Sequence, residues 1–232
     1  MFKPEPDTIN PDKGKLTISK HKRIISQTNQ SFFKKKLIKE TYQVKEIELT
    51  PNPRAVKFIL NQSVLDSGSK TIEVGGYLDS DTFATNIFAL EIVDLVYCRE
   101  NFVSITLQSP DLWVIFKDKI KNIIEADLQK YEEGDDEVSS SILDDFDKEK
   151  YPQLSDDEKV IIVEAVLDSS IRPALANDGG GLEVIEVDGS IVRIRYQGAC
   201  GGCPSSTGGT LRAIENHLKF QLDPEIKVHT YA

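Results

Sequence analysis

The chain is poor in cysteine and histidine, with three of each in 232 residues. An odd number of cysteines, two of them close together, does not supply the paired framework of a disulfide-stapled secreted domain and fits a reducing compartment. No apolar run approaches the roughly 18 residues that suggest a membrane span, so no membrane partner is expected. The first forty residues lack the apolar core of a secretory signal. They also contain Glu5, Asp7, Asp12 and Glu40, acids of a kind that transit peptides avoid. The compartment expected is cytoplasmic, with the mitochondrial matrix as the alternative. Asp178 has neither a paired base nor a nucleophile beside it in the sequence and reads as a turn residue. With no other catalytic constellation evident, a non-enzymatic protein is expected.

Charge is unevenly spread. Asp and Glu number 38 against 28 Lys and Arg, a formal net charge of −10. From Glu132 to Glu158, twelve acids face only Lys148 and Lys150, which concentrates the imbalance in one segment. The N-terminal tail is basic, with Lys13, Lys15, Lys20, Lys22, Arg23 and Lys34 to Lys36 among its cations. Such a tail can hold nucleic acid by counterion release, but no reading module accompanies it. A disordered, solvated extension over residues 1–44 and no nucleic-acid partner are the expectation.

Two folded stretches are legible. In residues 45–131, Ile47 to Leu49 and Val56 to Leu60 read as strands around Pro51-Asn52-Pro53, and Phe102 to Leu107 as a partly buried strand. Phe83, Ile87 and Phe88 suit one face of a short helix. A second helix opens with Ser109 as N-cap and Pro110 at its first position, with Trp113, Phe116, Ile120 and Ile124 inward. Residues 132–154 are acidic and Ser-rich, and self-repulsion predicts a flexible linker. In residues 155–232, Ser155 and Glu158 stand at capping-box spacing before an apolar repeat that Pro173 should kink and Asp178-Gly179-Gly180-Gly181 should stop. A hairpin around Asp188-Gly189, with Val192, Ile194 and Tyr196 alternating with arginines, precedes a helix (Leu211, Ile214, Leu218) and a closing strand (Ile226, Val228). The fold class predicted is two small α+β domains joined by an acidic linker.

The chemistry concentrates in Gly198-Ala199-Cys200-Gly201-Gly202-Cys203-Pro204-Ser205-Ser206. Two intervening residues let both sulfurs turn toward one metal, and glycines leave backbone amides unobstructed. Ser205 or Ser206 can cap the following helix, whose positive end favours thiolate. Three chemistries share a C-x-x-C pair: an iron–sulfur site, a redox dithiol and zinc. The 29 residues after Cys203 are few for the rest of a thioredoxin-like sheet, and zinc lacks a second local pair, so iron–sulfur leads without excluding the others. Cys98 follows Leu95, Val96 and Tyr97 and reads as a packed small hydrophobe; His217 and His229 read as surface or partly packed residues.

Ile171-Arg172-Pro173, Asp178-Gly179-Gly180, the hairpin and the Gly198-to-Ser206 run resemble the C-terminal domain of NifU-type (Nfu) proteins over residues 155–232. Thr50-Pro51-Asn52-Pro53, Val56-Lys57-Phe58, Val64-Leu65 and Phe102-Val103-Ser104-Ile105-Thr106 similarly resemble the N-terminal domain that accompanies it. The resemblance implies an iron–sulfur assembly scaffold or carrier, with Cys200 and Cys203 as the paired ligands. It implies a [4Fe-4S] cluster, or a [2Fe-2S] centre instead, bridged within a homodimer. Its partners would be recipient apo iron–sulfur proteins and upstream cluster-assembly proteins. A cubane takes four cysteines and each chain supplies two, which agrees with a bridging site. A dithiol oxidoreductase and a zinc-binding adaptor are the rival readings.

Overall fold

Two prolines flanking one asparagine make the turn between the first two strands. In the computed structural model, which describes residues 41–131, 140–144, 146–201 and 206–231, β1 (Val44–Leu49) and β2 (Ala55–Leu60) run antiparallel on either side of Pro51-Asn52-Pro53. Proline fixes φ at two of the turn positions, and the Ala55 N–H donates to the Asn52 carbonyl at 2.9 Å to close the turn. β3 (Ser69–Glu73), α1 (Thr82–Phe88), β4 (Val93–Arg99) and β5 (Phe102–Leu107) follow, and the sheet order is β1-β2-β5-β4-β3, antiparallel throughout. Its edge strand β3 was not expected from sequence, because Ser-Lys-Thr-Ile-Glu carries a single apolar residue.

One face of this sheet, with Val56, Phe58, Ile72, Val96, Cys98, Val103 and Ile105, packs against Phe83 and Ile87 of α1 and against Ile120 and Ile124 of α2 (Trp113–Asp127). Ser109 does not cap α2 as expected. A tight 3₁₀ turn over Pro110–Leu112 leads into the helix and the Ser109 side chain makes no capping bond, while the Trp113 indole N–H donates to the Arg54 carbonyl at 2.9 Å. The Asp81 carboxylate does cap α1, accepting from the Ala84 N–H, and also accepts from the Tyr131 hydroxyl at 2.9 Å.

The part of the presumed linker that the structure describes corrects the sequence reading. Lys148–Gln153 forms a 3₁₀ segment capped by Asp147, and Tyr151 is buried in the core of the second domain, with Leu143, Phe146 and Leu154 packed beside it. Asp144, Asp147 and Glu149 are exposed while Leu143, Phe146, Tyr151 and Leu154 turn inward, so the charge of the segment concealed its packing. Of the tail expected over residues 1–44, the last four are described and are not a solvated extension: Tyr42 is buried in the first domain's core and Val44 opens β1. Residues 1–40, 132–139 and 145 lie outside the described residues.

The second domain begins with the capping box at Ser155 and Glu158, intact on both sides, at the start of α3 (Asp156–Val166). A wide π turn (Leu167–Ile171) then leads into α4 (Arg172–Asn177). The kink expected at Pro173 takes this form because proline has no N–H to return to the preceding turn, so the ladder steps outward. β6 (Gly180–Asp188) and β7 (Ile191–Gly198) form the hairpin, with Gly189 at φ +59° in its turn. α5 (Leu211–Gln221) crosses back so that β8 (Lys227–Thr230) lies parallel to β7, giving the order β6-β7-β8. Ile214 and Leu218 of α5 meet Val163, Val192, Ile194 and Val228 in the core.

Arg172 ties three of these elements together. Its Nε donates to the Leu182 carbonyl at 3.1 Å, and its other nitrogens meet Asp168 at 2.6 Å and Glu164 at 2.5 Å, all with the guanidinium largely buried. Burial pushes the Glu164 carboxyl above its usual range even though Arg172 pulls it down. Replacing Arg172 by Ala strands two carboxylates in a dry setting, and such losses cost about 3–5 kcal/mol. Urea unfolding of the Arg172→Ala chain is expected to show a destabilisation of that size; a loss below about 1 kcal/mol would mean that the triad is solvated in solution.

Candidate metal-binding loop

The cysteine loop is built where β7 runs out. Gly198 adopts φ +59°, a conformation open to glycine, and turns the chain away from the strand. The Gly201 N–H donates to the Gly198 carbonyl at 3.1 Å and the Ala199 N–H to the Gly179 carbonyl at 3.1 Å, so the backbone on both sides of Cys200 is held. Gly180, paired with Gly198 in register, lies directly beneath. A Cβ at Gly180 would stand 2.6 Å from Cys200 Sγ and 2.7 Å from its backbone nitrogen, so only glycine leaves the sulfur its seat.

Cys200 is 7% exposed and belongs to the apolar cluster of the second domain. At this residue the loop is closed to solvent. Two features close it. The glycine at 180 lets the sulfur settle onto β6, and the Pro51–Pro53 turn of the first domain reaches over the loop, where Asn52 Nδ2 donates to the Ala199 carbonyl at 2.9 Å. Tyr196, two residues before the turn, has its phenol pushed up to about 12, first by burial and then by the charge that Cys200 would carry. Its hydroxyl has no hydrogen-bond partner among the described residues.

Cys203, the other predicted ligand, lies outside the described residues, as do Gly202, Pro204 and Ser205. The chain resumes with a π turn over Ser206–Thr210 that runs into α5. The remaining candidates stand apart from the loop. Cys98 is fully buried in the first domain's core, where burial pushes its thiol up to about 12. His217 Nε2 is 2.7 Å from Ser170 Oγ, a contact between α5 and the π turn, and His229 is exposed on β8. Asp178 ends α4 ahead of Gly179, as a turn residue should. Among the described residues no group of three or more His, Cys, Asp and Glu side chains gathers to hold an ion, and no helix is long and apolar enough to cross a membrane.

Sequence reasoning missed what the neighbouring glycines do. Gly179 (φ +77°) lies against Thr50, Ser104 and Lys57, and a Cβ at Gly181 or Gly198 would overlap the Tyr97 side chain. These positions were read as a helix stop and a loop start; they also admit the first domain. Nothing in a glycine run tells an observer which surface it will meet.

Comparison with known proteins finds a match for each of the two domains. The family model described as "Scaffold protein Nfu/NifU N terminal" matches residues 43–131, and the one described as "NifU-like domain" matches residues 163–229. Proteins named "NFU1 iron-sulfur cluster scaffold homolog, mitochondrial" in Drosophila persimilis and Drosophila virilis are each 28% identical over 183 residues, or 77% of this chain. The matched region spans 61% and 58% of those two relatives, so the chain spans about three-fifths of their length. A solved structure of a Staphylococcus aureus protein aligns with 36% of this chain and 99% of its own, at 22% identity and a TM-score of 0.32.

The buried thiol of Cys98 makes a pH prediction. A group whose folded pKa is raised above its unfolded value contributes stability that is complete below the unfolded pKa and lost as pH climbs to the folded one. For Cys98 that window runs from 9.0 to about 12. The stability difference between the unaltered chain and Cys98→Ala should therefore be constant up to about pH 9 and change in the variant's favour above it. Urea unfolding at a series of pH values checks this, and a difference that stays flat to pH 11 would contradict a thiol kept neutral by burial.

Proposed function

From its membership of the NifU/Nfu family of iron–sulfur scaffold proteins, we propose that this chain receives an iron–sulfur cluster on Cys200 and Cys203 and passes it to recipient apo-proteins. The observation that carries the reading is the seat of Cys200, with its sulfur resting on a side-chain-free strand and the flanking backbone held by hydrogen bonds. Such a loop offers a thiolate with no side chain beneath it, and glycine amides nearby can donate to cluster sulfides.

The cargo proposed is a [4Fe-4S] cluster shared between two chains, each supplying its cysteine pair. Transfer proceeds by ligand exchange: a recipient thiolate displaces one scaffold thiolate at a time, and the thiolate released takes up a proton from solvent. The chain's part is to hold both thiols at one place and release them one at a time. It performs no bond chemistry on a substrate, which is why a scaffold and not an enzyme is proposed. The partners are a second copy of the chain, upstream assembly proteins that supply iron and sulfide, and recipient apo-proteins. Because these relatives are mitochondrial scaffold homologues by name, the compartment proposed is the mitochondrion in place of the cytoplasm.

Anaerobic reconstitution with iron and sulfide tests the reading. The unaltered chain should gain broad absorption near about 400 nm from thiolate-to-iron charge transfer. Cys200→Ser and Cys203→Ser exchange a soft thiolate for a hard hydroxyl and should each abolish the stable chromophore, while Cys98→Ser should keep it. Zinc uptake with no such absorption, or loss of the chromophore in the Cys98 variant at unchanged fold, would overturn the assignment.

A further inference from the structure

The second face of the first sheet is polar, yet it is not in water. Lys57, Ser69, Tyr97, Arg99, Ser104 and Thr106 alternate with the core residues along β2 to β5, so they point away from α1 and α2. A face of this composition on an antiparallel sheet is ordinarily solvated. Here each of the six is less than 9% exposed. What covers Lys57, Ser69, Tyr97 and Ser104 is the cysteine-bearing domain. Ser69 Oγ donates to Gln197 Oε1 at 3.2 Å, Lys57 Nζ reaches the Asn177 carbonyl at 3.5 Å, and Tyr97 and Ser104 lie on the glycine floor formed by Gly179, Gly181 and Gly198.

We propose that this polar face is a reversible cap: the first domain docks on the glycine floor of its own second domain, restrains the Cys200 loop, and must lift for that cysteine to engage cargo or a second chain. The cover is closely fitted, since a Cβ at 181 or 198 would collide with Tyr97 and one at 179 would press on Thr50 and Ser104. It is also poorly compensated. Ser104 Oγ, against Gly179, is buried with no hydrogen-bond partner among the described residues, a condition that water would relieve as soon as the faces part. Fit without full polar satisfaction describes a contact suited to opening. Asn52 links the cap to the loop itself, through the Ala199 carbonyl next to Cys200.

The proposal gains its functional meaning from the scaffold reading, but its test is made on the full-length apo-protein and needs no cluster. Iodoacetamide labelling of each cysteine is followed by peptide mass spectrometry, with fully buried Cys98 reporting any global unfolding, and small-angle scattering measures the radius of gyration. Gly181→Ala drives a methyl into the Tyr97 hydroxyl; it should expand the chain and raise the Cys200 labelling rate about tenfold by shifting the closed–open population, with Cys98 unchanged. Adding Tyr97→Phe removes the hydroxyl and should return both readings part of the way. Asn52→Ala should raise the Cys200 rate by itself, and it carries the test if Gly181→Ala also exposes Cys98. An expanded chain with an unchanged Cys200 rate, or a Gly181→Ala chain of unchanged size and rate, would overturn the cap. Failure to bind a cluster, by contrast, would sink the scaffold reading and leave the cap standing.

Discussion

Everything around the loop follows from one steric constraint: the sulfur of Cys200 occupies the volume that a side chain at position 180 would fill. That makes glycine obligatory on β6, and β6 must in turn be held at a fixed height against β7. The Arg172 triad does this from below by gripping the Leu182 carbonyl while pairing with Glu164 and Asp168. The capping box at Ser155 and the packed Tyr151 anchor α3, which brings Glu164 to that triad. A chain of ordinary stabilising contacts thus ends in the placement of one thiol.

The same lack of side chains serves a second purpose. Glycine at 179, 181 and 198 brings backbone close to Thr50, Tyr97 and Ser104, so the two domains meet through a surface with almost no side-chain relief on one side. Apolar burial contributes little at that contact, because the first domain presents hydroxyls, a lysine and an arginine. Hydrogen bonds and close fit hold it, and such contacts are individually modest in water. The architecture therefore combines two stable cores with a weaker junction laid over Cys200.

Much of this was legible in the sequence where periodicity carried it. The hairpin from Gly180 to Gly198, the helix through Ile214 and Leu218 and the strands flanking Pro51-Asn52-Pro53 announce themselves through alternation, spacing and turn residues. β3 did not, because an edge strand facing polar surroundings needs only Ile72 to face the core. Tyr151 was hidden by the acids around it, whose charge pointed to a solvated linker. The docking of the domains was the least legible feature. A row of Lys, Ser, Thr, Tyr and Arg on a sheet face reads as a solvent surface, and composition cannot say that another domain will replace the water. The glycines were recognised as permissive, but permissive positions reveal neither the sulfur above Gly180 nor the tyrosine beside Gly181.

The central claim is that two thiols per chain hold a cluster that needs four, and native mass spectrometry of the reconstituted full-length chain, with parallel iron and sulfide assays, tests it most directly. The account predicts a dimer that carries about four irons per two chains and returns to monomer when a chelator removes the metal. A monomer holding a complete cluster without added thiol would contradict it.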